Sequence, residues 1–147
     1  GEPYEKGRRA HAPRLASFIS ALMASGKHDL HFVTHSHGGN LLGMAVNLMT
    51  PSYNIKSVSL LGTPSNSDIW IEASNYFDRI YAYYSDHDKV QTFGANVADF
   101  LDSTSSGNTV GTYRNFKVGM SRNSDRIASY DVTYILLVSG LKKHTVI

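Results

Sequence analysis

Phe32-Val33-Thr34-His35-Ser36-His37-Gly38-Gly39-Asn40-Leu41-Leu42 is the stretch that decides the fold. Leu30 to Thr34 is short and partly β-branched, which reads as a strand. Gly38-Gly39 breaks it, and Asn40 to Met49 is apolar almost throughout, which reads as a helix buried on most sides. A strand therefore runs into a tight turn with Ser36 at its tip, and a helix leaves at once. This is the geometry of a nucleophile elbow, which holds a serine side chain clear of the backbone above the strand ends. The residues two before and two after the serine crowd each other in such a turn. Gly38 supplies one small residue, and Thr34 stands where the usual pattern has a glycine. Gly39 lets helix and strand approach closely, and the N–H of His37, at the helix start, points at a developing oxyanion.

Upstream, Leu15, Phe18, Ile19, Leu22 and Met23 form one apolar stripe at helical spacing after Pro13, and Gly26 ends that helix. Residues 1–12 are polar, punctuated by Gly and Pro, and read as a loop or tail ahead of a core spanning 13–147. Downstream, Ile55 to Leu61 reads as a strand stopped by Gly62-Thr63-Pro64, Ser65 to Tyr76 as a loop or short helix, and Arg79 to Tyr84 as a third strand. Asn96 to Leu101 reads as a short helix and Ser103 to Asn108 as a polar loop. Tyr113 to Val118 and Val132 to Val138 are further strand candidates. Helix and strand alternate, which predicts an α/β domain whose sheet is mainly parallel and flanked by helices. Tyr76, Phe77, Tyr81, Tyr83 and Tyr84 read as core and sheet-face aromatics.

The 147 residues amount to one domain, and with 41% hydrophobic and 18% charged residues the chain is predicted to bury a core. Lys and Arg total 14 against 12 acidic residues, a net charge of +2, too small a surplus for a nucleic-acid footprint. The chain has no cysteine, which excludes a thiolate metal site and a cysteine nucleophile and leaves the compartment open. No apolar run approaches the length of a membrane span, and residues 1–9 lack the apolar core of a signal peptide.

His35-Ser36-His37-Gly38-Gly39-Asn40-Leu41 resembles the elbow of the α/β-hydrolases, in particular their lipase and esterase members. The resemblance implies a serine esterase whose Ser36 attacks a carboxylic ester, lipid esters among them, through an acyl-enzyme and without a metal or organic cofactor. In that family the acid follows a later strand and the histidine comes last. Ser85-Asp86-His87-Asp88 then places the acid at Asp88, with Asp86 as the fallback, and His144 is the one histidine after it. The family's earlier strands, which usually precede the helix at 13–25, have no counterpart here, so the resemblance implies a trimmed sheet. One edge of that sheet would be covered by the rest of a longer polypeptide, by a second chain, or by 113–118 or 132–138.

Two other readings stand beside this one. Thr34-His35-Ser36-His37 also resembles the start of the metallo-β-lactamase signature, in which histidines and an aspartate bind two zinc ions. Gly39 and Asn40 stand where that signature has Asp and a further His, and two imidazoles alone make a poor site. Alternatively the chain is a non-catalytic α/β module for packing or binding.

Overall fold

The computed structural model describes residues 2–26, 29–50, 53–63, 67–85 and 125–134, the side chains of 2–5, 67 and 68 excepted. In chain order the elements are α1 (Glu2–Ala24), β1 (His31–His35), α2 (His37–Val46), β2 (Ile55–Leu61), α3 (Ser67–Ala73), a 3₁₀ turn (Ser74–Tyr76), β3 (Phe77–Tyr84) and β4 (Ile127–Asp131). The sheet is four-stranded, in the order β1-β2-β3-β4, with every neighbouring pair parallel. The protein is thus of the α/β class.

The register sets the layers. Phe32, Val58, Ile80 and Ile127 stand side by side across the sheet. Val58, Leu60, Ile80, Ala82 and Ile127 are buried and join one core with Ile19, Met23, Leu42, Val46 and Trp70 from the helices. Val33, Ser59, Tyr81 and Ala128 form the matching row on the opposite face, which is half-buried or exposed, with Val33 71% exposed. Each strand lies beside the previous one in the same direction. Right-handed crossovers then put successive connections on one face of the sheet, which accounts for α2 and α3 sharing the core side.

The structure corrects the sequence expectations in three places. Residues 2–12, expected as a loop or tail, are the first half of α1. Pro3 falls in its first turn, where a missing N–H costs no helical hydrogen bond. Pro13 lies inside this helix on its exposed side, where it forgoes one helical hydrogen bond. Secondly, the buried stripe of α1 is Ala12, Ala16, Ile19 and Met23, rotated from the expected one, and Phe18 is 60% exposed. The small alanines, rather than the largest apolar side chains, allow the helix to lie against α2. Thirdly, Val132 to Val138 is not a strand over its described part. Val132 donates its N–H to the Tyr84 carbonyl at 2.9 Å, and Thr133 and Tyr134 are helical. The strand lies just before, at 127–131, and pairs with β3.

Strand β1 is the end strand of the described sheet, with β2 as its neighbour. The trimmed sheet expected from the resemblance has one edge to be covered, and β1 occupies an edge of the sheet among the described residues, with β4 at the opposite one. Tyr113–Val118, the short helix at 96–101 and the loop at 103–108 lie outside the described residues.

Candidate active site

Ser36 sits between the last residue of β1 and the first residue of α2, as the turn reading requires. Its backbone has φ 51° and ψ −128°, and it is the one non-glycine residue with positive φ among those described. A side chain in this region costs on the order of 1–3 kcal/mol unless the surroundings hold it there. Here the Ser36 N–H donates to the Leu61 carbonyl at 2.9 Å, and the Gly39 N–H donates to the Ser36 carbonyl at 3.2 Å. Strand β2 and the first turn of α2 therefore clamp the residue from both sides.

The two glycines that follow have different work. A Cβ on Gly39 would meet the Thr63 side chain, whose Cβ would lie 3.0 Å away and its other atoms nearer. Thr63 is fully buried just past β2, so the helix can approach the sheet only because residue 39 has no side chain. Gly39→Ala is expected to cost about 1–3 kcal/mol, the usual penalty of overpacking, read as a lower midpoint in urea unfolding. A Cβ on Gly38 would lie 3.7 Å from the Thr34 Cβ, an ordinary contact. Positions 34 and 38 do face each other, but the space admits a methyl group. Thr34 therefore fits there, with its hydroxyl 3.5 Å from the Ser59 carbonyl of β2.

The turn lies at the carboxyl ends of the parallel strands, where open α/β sheets place their ligand sites. Ser36 follows β1, Gly62 and Thr63 follow β2, and Ser85 follows β3. Staggered bonds tie these ends together, from the Gly62 N–H to the Tyr83 carbonyl at 3.0 Å and between the hydroxyls of Ser85 and Thr133 at 3.1 Å. Ser85, 2% exposed, is thereby fixed at the point where the chain leaves β3 towards the acid expected at Asp88. Asp86, Asp88 and His144 lie outside the described residues. Helix α2 carries no acidic side chain in its first turn, so its own residues do not offset the partial positive charge at its N-terminus.

Three contributors escaped the sequence reading. Arg8, in the segment expected as a tail, places Nη1 3.2 Å from Nδ1 of His37. Asn40, 4% exposed, places Nδ2 3.3 Å from the same nitrogen. Thr63, expected as part of a plain strand-ending turn, packs on Gly39. The signal for Arg8 was its spacing: positions 8, 12, 16, 19 and 23 continue one helical stripe through Pro13. Among the described residues no three His, Cys, Asp or Glu side chains gather as a metal site, and no helix is long and apolar enough to cross a membrane. No family model, curated protein or solved structure matches the chain.

Proposed function

We propose that this protein is a serine hydrolase of the α/β-hydrolase type that cleaves carboxylic esters, lipid esters among them. The observation that carries the reading is Ser36, held at φ 51° on a strand-to-helix turn at the carboxyl end of a parallel strand. Oγ of Ser36 bonds to the ester carbonyl carbon while its proton passes to His144. The backbone N–H of His37 and the α2 dipole stabilise the oxyanion. As the tetrahedral adduct collapses, the bond to the leaving oxygen breaks and His144 returns the proton to the departing alcohol. Water then attacks the acyl-enzyme by the same sequence and restores Ser36. Asp88 orients the histidine ring and stabilises its cation. The roles of Asp88 and His144 rest on the family resemblance and on their order in the chain.

A fluorophosphonate probe tests this directly. Covalent labelling of the folded protein, mapped by mass spectrometry to the peptide containing Ser36 and lost after heat denaturation, is the expected result. A protein that stays unlabelled, or that is labelled elsewhere, is not a Ser36 hydrolase. Stoichiometric zinc held through His35 and His37, with turnover stopped by a chelator, would favour the metal reading instead.

A further inference from the structure

The amino end of β1 brings a histidine against a second serine. Nδ1 of His31 lies 2.7 Å from Oγ of Ser57. The two residues are register partners on β1 and β2, so the ladder between the strands holds the contact. They face away from the core, because the next register pair, Phe32 and Val58, packs into it. On this outer face His31 is exposed and Ser57 half-buried, so a reagent in solvent can approach the pair. His31 opens β1 and Ser36 follows its last residue, which sets the pair apart from the elbow by the length of the strand, about 16 Å.

A hydroxyl and an imidazole nitrogen about 2.6–3.2 Å apart are the arrangement in which a base activates a serine. In a neutral ring with its proton on Nε2, Nδ1 carries the lone pair that takes the serine proton. No carboxylate bonds to the His31 ring among the described residues, so the pair is a dyad. The orienting acid of a full triad is worth roughly 10⁴-fold in kcat. A dyad without it reacts with acyl donors whose leaving group departs readily.

We propose that Ser57 and His31 form a second acyl-accepting site, with Ser57 the nucleophile and His31 its base, for activated donors of the aryl ester class. Oγ of Ser57 bonds to the carbonyl carbon while its proton passes to Nδ1 of His31. As the adduct collapses, the bond from carbon to the aryl oxygen breaks. That oxygen leaves with the electron pair and takes the proton from Nδ1. The product is O-acyl Ser57. With no acid behind His31, attack of water on this ester is slow, so the site holds one acyl group per chain instead of turning over. The inference does not use the Ser36 reading.

The test uses the full chain carrying Ser36→Ala, so that the elbow serine takes no part, and p-nitrophenyl acetate as the donor. Mass spectrometry over a time course should show one acetyl group accumulating on the folded protein, mapped by fragmentation to Ser57. Adding His31→Phe, a change at an exposed position, should slow that acetylation by about a hundredfold or more, the contribution of a positioned base. A folded protein without acetyl at Ser57 overturns the proposal. Acetylation of Ser57 at the same rate in the His31→Phe protein overturns it too, and makes the contact a cross-strand hydrogen bond alone. Either result leaves the reading of Ser36 to the phosphonate experiment.

Discussion

Ser36→Ala is expected to abolish ester hydrolysis, with a loss on the order of 10⁶-fold in kcat, the scale seen when a nucleophile is removed from a catalytic unit. The hydroxyl is the atom that bonds to the carbonyl carbon, and no neighbouring donor or dipole replaces it. The fold should survive the change. Both residues carry a Cβ, so the strain at φ 51° is the same, and the clamping bonds from Leu61 and Gly39 involve only backbone atoms. The stability change should stay within about 0.5 kcal/mol. Ser36→Gly is the informative companion. It removes the nucleophile too, but glycine occupies positive φ freely, so this variant should be inactive and at least as stable as the parent. Turnover of either variant at the parent's rate places the nucleophile elsewhere.

The largest loss of stability is expected at Trp70. Its side chain is fully buried, with the ring centroid 5.8 Å from that of Phe77 and tilted by 39°. It also lies where a Cβ on Gly43 would meet its ring at 3.3 Å, so α2 and α3 are in close contact there. Trp70→Ala removes the largest side chain in the core and leaves a cavity between α2, α3 and β3, at a cost of about 3–5 kcal/mol. In a domain of this size that lowers Tm by about 6–20 °C. Trp70→Phe isolates the packing. The indole Nε1 is buried with no hydrogen-bond partner, so its removal takes away an unsatisfied donor while much of the volume remains. The phenylalanine variant should lose far less than the alanine variant in a thermal melt. Equal losses for the two would mean that the indole nitrogen contributes to stability through a bond not seen in the structure.

Some of these features were legible along the chain because their causes are local. Gly38 and Gly39 come just after a β-branched run and mark where strand gives way to helix, although the turn itself falls at Ser36 and both glycines lie in the first turn of α2. Strand β2 matches its expected range, Ile55 to Leu61, because Val, Ile and Leu alternate with serines there, and β3 begins only two residues before its expected start. β4 was hidden for the opposite reason. Ile127-Ala128-Ser129-Tyr130-Asp131 contains a single aliphatic residue beyond alanine, whereas the Val132–Val138 run has the stronger strand composition. Pairing with β3 and the contact between Ser85 and Thr133 decide the matter, and neither can be read from composition.

By itself the sequence determined the alternation of helix and strand, the parallel α/β class and the sharp turn that carries Ser36. These follow from periodicity, from β-branching and from glycines acting over a few residues. Only the tertiary structure decided that α1 begins at Glu2, that its buried face is the alanine stripe rather than the Phe18 stripe, and that Thr63 makes Gly39 indispensable. It alone brought Arg8 across 29 positions to the ring of His37. The physical reason is common to all of these. A helix face or a side-chain rotamer has no preferred partner until another element is packed against it. The choice is made by burial and by the donors and acceptors that burial brings within 3.5 Å, which are properties of contacts distant in the chain.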